Sequence, residues 1–115
     1  MRRILLYILL LAVMCSCCND IVIDEKWLED NYSKTEAMVT MRDGVKLYTS
    51  VYQPVDSDDR PVLLVRTPYS CAPYGDGWKG DLTDYMTEFL RNKYILVFQD
   101  VRGRYMSEGE YENVR

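Results

Sequence analysis

Histidine is absent from the 115 residues of this chain. A Ser-His-Asp relay needs an imidazole as general base, so the chain as written cannot complete one. Zinc sites that use imidazole are excluded with it. Cysteine is nearly as scarce: of four, only Cys71 lies beyond the first 18 residues. A single body cysteine builds no internal disulfide framework, and without histidine it has no base to make it a nucleophile. Basic charge is in deficit as well. Lys+Arg is 14 against Asp+Glu 18, a net charge of −4, which argues against a nucleic-acid partner. Six Gly and four Pro in a chain that is 48% hydrophobic exclude collagen-like and disordered readings, and the length allows one domain.

The chain opens with a leader. Met1–Arg3 is a positive n-region, and Ile4–Met14 is an unbroken run of eleven apolar residues. As a helix that run spans about 16 Å, roughly half of a hydrocarbon core. It reads as a secretory signal peptide over residues 1–17 rather than a membrane span. The run ends in Cys15-Ser16-Cys17-Cys18, which resembles a bacterial lipobox. Cys17 follows the small Ser16 and is the best-placed lipidation site; Cys18 and Cys15 follow Cys17 and Met14. The alternative is plain cleavage to a soluble secreted form. Removing residues 1–16 leaves 12 Lys+Arg against 18 Asp+Glu, a net charge of −6. A lipid anchor, not a basic patch, is then what would hold this body at a membrane of the bacterial cell envelope.

Residues 18–36 read as a tether, with Trp27, Leu28, Asn31 and Tyr32 at the spacing of a short helix. From residue 37 the pattern becomes β. Met38–Met41 leads into Asp43-Gly44, and beyond it Val45, Leu47 and Val51 alternate with Lys46, Tyr48, Ser50 and Tyr52. This is a hairpin signature that places Val45, Leu47 and Val51 on one face. Pro61–Thr67 is an apolar run without alternation, which predicts a strand covered on both faces. A Gly/Pro/aromatic loop over Tyr69–Lys79 follows. Leu82, Tyr85, Met86, Phe89 and Leu90 then predict one amphipathic helix over Asp81–Lys93, capped by Asp81 or Gly80. Tyr94–Phe98 is a second apolar strand. Strand, helix and strand make a βαβ unit with parallel strands, so the fold class is α/β, and its architecture is unfinished.

Three stretches resemble a known family. Met41-Arg42-Asp43-Gly44-Val45-Lys46-Leu47 matches its opening hairpin, and Arg66-Thr67-Pro68-Tyr69 the end of its next core strand. Gln99-Asp100-Val101-Arg102-Gly103-Arg104 with Ser107-Glu108-Gly109-Glu110 matches its Q-D-V-R-G-R-x-x-S-E-G-E motif. In this order, over residues 38–112, they resemble the N-terminal part of a serine hydrolase of the cocaine esterase / Xaa-Pro dipeptidyl-peptidase (S15) type. Glutaryl-acylases and α-amino-acid ester hydrolases are similar. The resemblance implies an α/β-hydrolase fold, truncated here over residues 37–115, and acyl transfer through a Ser-Asp-His triad on esters, amides or Xaa-Pro peptides. No cofactor or metal is suggested by the sequence. The resemblance gives Tyr69 the role of oxyanion-hole donor; the residues alone would let Tyr69 simply pack in a Pro-anchored turn. Asp100, Arg102 and Gly103 fall in what is a structural loop in the family, and Gly103 and Gly109 suit turns of positive φ. Tyr105 and Met106 stand where many relatives carry a smaller residue.

The departures are large. No serine of this chain sits in a G-x-S-x-G elbow, and the triad acid and histidine are missing. The chain is therefore expected to be inert alone, as the first portion of a longer hydrolase acting on a small ester, amide or peptide once completed. A small non-catalytic envelope lipoprotein is one alternative. A half complemented by a separate C-terminal piece is another.

Overall fold

A computed structural model describes residues 20–56 and 58–113. The segment expected to be a leader, with Cys15, Cys17 and Cys18, lies outside the described residues. Among the described residues no helix is long and apolar enough to cross a membrane.

The chain forms an α/β fold around a mixed four-stranded sheet. Helix α1 (Glu25–Asn31) is followed by β1 (Tyr32–Thr40), β2 (Lys46–Pro54) and β3 (Val62–Thr67). Two short helices come next, α2 (Leu82–Tyr85) and α3 (Thr87–Arg91), and β4 (Ile95–Asp100) closes the sequence. The sheet order is β1-β2-β4-β3, with β1/β2 and β2/β4 antiparallel and β3/β4 parallel.

Helix α1 starts where Asp24 accepts the Trp27 N–H at 2.8 Å, an N-cap that satisfies one of the free donors of its first turn. The sheet begins earlier than the sequence suggested, because Tyr32–Glu36, read as tether, pair with β2. Tyr32 explains the early start: it is buried, and its hydroxyl donates to the Tyr94 carbonyl at 3.0 Å.

The hairpin turn is Met41–Val45. Met41 N–H donates to the Val45 carbonyl and Gly44 N–H to the Met41 carbonyl, with Gly44 at φ +84°. The conformation is left-handed, which glycine adopts without a Cβ clash.

One expectation about faces holds and another is corrected. Leu47 and Val51 do share a face, but the main hydrophobic cluster lies on the opposite one, with Tyr48, Tyr52, Leu96, Phe98, Leu82 and Leu90. Aromatic packing decides this: Tyr52 meets Phe98 edge-on at 5.8 Å and Tyr48 meets Tyr74 edge-on at 4.9 Å. Burying these rings removes more apolar surface from water than burying valines would. The correction concerns β3, which is not covered on both sides. Val62 is 60% and Leu64 52% exposed, while Leu63 and Val65 face the cluster.

The single helix expected over Asp81–Lys93 is broken at Met86 (φ −107°, ψ 10°). Thr87 Oγ1 donates back to the Thr83 carbonyl at 3.0 Å, a bond of the kind that bends helices. Tyr85, placed on the apolar face by spacing, is consequently 80% exposed. Asp81 occupies the N-cap position but makes no side-chain cap; its carboxylate instead pairs with Lys79 at 3.4 Å.

Candidate functional site

The parallel strands β3 and β4 end side by side, with Thr67 opposite Asp100. The loops leaving them, residues 68–79 and 101–113, form the candidate site. Open sheets with parallel strands place ligands at the carboxyl ends of those strands.

Asp100 joins the two loops. Fully buried, it accepts the Cys71 N–H at 2.8 Å through Oδ1 and the Tyr74 hydroxyl at 2.9 Å through Oδ2. Its carbonyl accepts the Ser107 hydroxyl at 2.7 Å, and Ser107 Oγ in turn accepts the Tyr48 N–H at 2.9 Å. A buried carboxylate is tolerated because both oxygens are hydrogen-bonded.

Tyr69 stands outside this network. Its N–H donates to Thr67 Oγ1 at 3.0 Å, which fixes the backbone, but the side chain is 82% exposed. Its hydroxyl has no partner among the described residues. The next residue, Ser70, sits at φ +82°, and its Oγ accepts the Ala72 N–H at 3.1 Å and pairs with the Tyr74 hydroxyl at 3.0 Å. A phenol donor is thus held by its backbone at the carboxyl end of β3, facing solvent.

A second device holds the aromatic loop, one that no sequence signal marks. The Lys34 side chain is only 6% exposed, and its ammonium donates to the carbonyls of Pro73, Gly75 and Gly77 at 2.7, 2.6 and 2.8 Å. Glu36 completes the cage, accepting the Tyr48 hydroxyl at 2.6 Å and the Gly75 N–H at 2.6 Å, with Lys34 at 3.2 Å. The Tyr48 bond holds the Glu36 carboxyl below the usual carboxylate range. Burial, with Glu36 beside it, pushes the Tyr48 hydroxyl far up. Lys34 and Glu36 alternate with exposed Ser33 and Thr35 on a strand that the sequence reading left as tether.

The 101–109 loop returns to the hairpin. Arg102 pairs with Asp43 at 2.8 Å, and this bond lowers the Asp43 pKa. Glu108 accepts the Lys46 N–H at 3.0 Å and returns its own N–H to the Lys46 carbonyl at 2.9 Å. Gly103 at φ +69° and Gly109 at φ +90° make the tight turns; a Cβ on Gly103 would overlap the Tyr111 and Glu110 backbone. Between this loop and Pro68 opens a cavity of about 910 Å³, lined by Asp43, Val101, Arg102, Glu110 and Tyr111 among others.

The chemistry available here is limited. Cys71 is buried, and burial, with Asp100 adding to it, pushes its thiol up to about 12, so it is no thiolate nucleophile at neutral pH. Among the described residues no group of three or more His, Cys, Asp or Glu could hold a metal. What remains is the exposed hydroxyl of Tyr69, one residue beyond Pro68 in the cavity lining, on a sheet of α/β type.

Residues 43–114 match the X-Pro dipeptidyl-peptidase (S15 family) model. The cocaine esterase of Rhodococcus sp. (strain MB1 Bresler) is 42% identical over 85 residues, covering 73% of this chain and 14% of the esterase. In structure the chain resembles an α-amino-acid ester hydrolase with a TM-score of 0.62 at 35% identity, covering 86% of this chain and 17% of that one. An aminopeptidase from a marine sediment archaeon (Thaumarchaeota archaeon) gives a TM-score of 0.58 at 35% identity, covering 72% and 14%. These relatives are hydrolases. The chain belongs to the X-Pro dipeptidyl-peptidase (S15) family and corresponds to the N-terminal region of its hydrolases. It spans 14 to 17% of the length of these three relatives.

Proposed function

We propose that this chain is the opening unit of an α/β-hydrolase domain that cleaves esters, amides or Xaa-Pro peptides through a serine ester, and that Tyr69 donates to its oxyanion hole. The hairpin and the β3–β4 unit supply the start of the sheet. The serine elbow, the acid and the histidine come from the rest of the domain, and the 115 residues alone are catalytically inert. The leader carries the product across the inner membrane, and Cys17 takes the lipid anchor.

The observation that carries this reading is the position of Tyr69. Its backbone is fixed to Thr67, its ring is free, and the loop behind it is tied down through Asp100. A rigid loop with one unoccupied donor is what stabilising a developing oxyanion requires, because the donor pays little reorganisation at the moment of reaction. A tyrosine serving only to pack would be buried, as Tyr74 is in part.

The test is Tyr69→Phe in the completed hydrolase, with a nitrophenyl ester as substrate. One oxyanion donor is worth about 10²- to 10³-fold in kcat, so kcat should fall by that factor with KM little changed. An unchanged kcat would remove Tyr69 from the site. Esterase turnover by the purified 115-residue chain would overturn its assignment as inert.

A further inference from the structure

Tyr74, five residues after Tyr69, is held at three levels. Its backbone is gripped on both sides, because the Lys34 ammonium donates to the flanking carbonyls of Pro73 and Gly75 at 2.7 and 2.6 Å. Its ring meets Tyr48 edge-on at 4.9 Å. Its hydroxyl donates to Asp100 Oδ2 at 2.9 Å. Burial, with Asp100 adding to it, raises the Tyr74 pKa, so the hydroxyl keeps its proton at neutral pH. A phenol that has given its proton to a carboxylate can still accept, and the Ser70 hydroxyl stands 3.0 Å away. Ser70 is therefore the donor of that pair. Its Oγ in turn accepts the Ala72 N–H at 3.1 Å. One directed chain results, from Ala72 N–H through Ser70 and Tyr74 to the Asp100 carboxylate, in which each bond polarises the next.

The chain of bonds runs through a strained residue. Ser70 sits at φ +82°, a left-handed conformation that is unfavourable for any residue with a Cβ. It persists where surrounding bonds over-determine it, and here those bonds come from Tyr74 and Ala72. Tyr69 is bracketed as a result. Thr67 Oγ1 holds its N–H at 3.0 Å on one side, and Ser70 fixes the peptide that leaves it on the other. Its ring remains 82% exposed between the two.

We infer that Tyr74 is a positioning residue for Tyr69: through Ser70 it sets the backbone from which the Tyr69 hydroxyl reaches a developing oxyanion, and it touches no substrate itself. The inference rests on the proposed oxyanion role of Tyr69. A donor contributes to the transition state only from the right place, and a displacement of about 1 Å is enough to lose most of its effect. The strut that keeps Tyr69 in place therefore runs from the Lys34 cage through the Tyr74 hydroxyl to Ser70.

The experiment is a double-mutant cycle on the completed hydrolase, with a nitrophenyl ester as substrate and the nitrophenol burst counting folded active sites. Tyr74→Phe keeps the ring against Tyr48 and removes only the hydroxyl; kcat should fall about 10- to 100-fold with KM little changed. Ser70→Ala leaves the Tyr74–Asp100 bond in place and should lower kcat alike, so it carries the test if Tyr74→Phe does not fold. In a Tyr69→Phe background either substitution should lower kcat by less than about threefold more, because residues acting through one donor are not additive. In the 115-residue chain, Tyr74→Phe should speed amide exchange at Ala72 several-fold, while Cys71, held by Asp100, exchanges as before. An unchanged kcat in both variants, losses that multiply with that of Tyr69→Phe, or an Ala72 amide that exchanges as in the parent would overturn the inference. If Tyr69→Phe is itself silent, the proposed role of Tyr69 fails and this inference with it. If Tyr69→Phe slows turnover while Tyr74→Phe and Ser70→Ala do not, this inference alone fails.

Discussion

Asp100 and Cys71 are joined by a hydrogen bond of 2.8 Å from the Cys71 N–H to the Asp100 carboxylate, across 29 residues of sequence. It ties the end of β4 to the loop after β3, and both partners are fully buried. Asp100→Ala would leave a buried N–H unsatisfied and cut the Tyr74 hydroxyl loose. A loss of about 3 kcal/mol is expected in urea unfolding, since bonds to charged acceptors contribute about 1.5–3 kcal/mol each. Asp100→Asn keeps an acceptor for Cys71 and should lose less.

Alkaline pH should unfold the chain through its tyrosines and Cys71. Burial pushes Tyr32 and Tyr52 from 10.0 up to about 12, and Cys71 from 9.0 up to about 12. The unfolded chain releases these protons first, so stability is complete below the unfolded values and falls as pH rises through the folded ones. A series of urea midpoints should therefore decline from about pH 9 to pH 12, and Cys71→Ala should flatten its first part.

Acid acts on a different group. Glu36 has its pKa lowered, first by the Tyr48 hydroxyl, so its contribution is present above the ordinary carboxylate range and lost as pH falls through the lowered value. Glu36→Gln should remove that part of the acid-side slope. It should also move the tyrosine part of the alkaline decline to lower pH, because Glu36 also raises Tyr48 and Tyr52, and leave the Cys71 part as it is.

Lys34→Met would strand three carbonyls, those of Pro73, Gly75 and Gly77. A cost of about 2–3 kcal/mol is expected, and it should be local. Amide exchange at Gly75, whose N–H is held by Glu36 at 2.6 Å, should accelerate before that of β4.

Two glycines separate backbone strain from steric overlap. Gly75→Ala at φ +80° meets nothing within 4 Å, and should cost about 1 kcal/mol for the left-handed conformation alone. Gly103→Ala adds an overlap with the Tyr111 and Glu110 backbone. It should be several-fold more costly and should release the 101–109 loop, seen as faster proteolysis after Arg104.

Much of this fold was legible in the sequence, because its signals are local. Asp43-Gly44 marked the hairpin turn, and the apolar runs at 61–67 and 94–98 marked two strands whose connection had to make them parallel. The faces were not legible. Alternation in β2 grouped Leu47 with Val51 but did not say which face meets the main cluster. The tyrosines between them, which take that place, carry both a large ring and a hydroxyl that finds a partner, as Tyr48 does in Glu36. Nor could the sequence show Lys34 reaching 39 to 43 residues ahead to cage a loop. Its role depends on a pairing with β2 that only the fold creates. Tyr69 itself became a candidate through family resemblance; no spacing or composition singles it out from nine other tyrosines.

The most direct test of the account is to read the coding DNA directly 3′ of codon 115 in all three frames. The account predicts an open frame that supplies a G-x-S-x-G elbow, followed by an aspartate and a histidine. A closed frame with none of these in the adjoining sequence would contradict it, and the chain would then be a non-catalytic protein carrying a hydrolase's opening sheet.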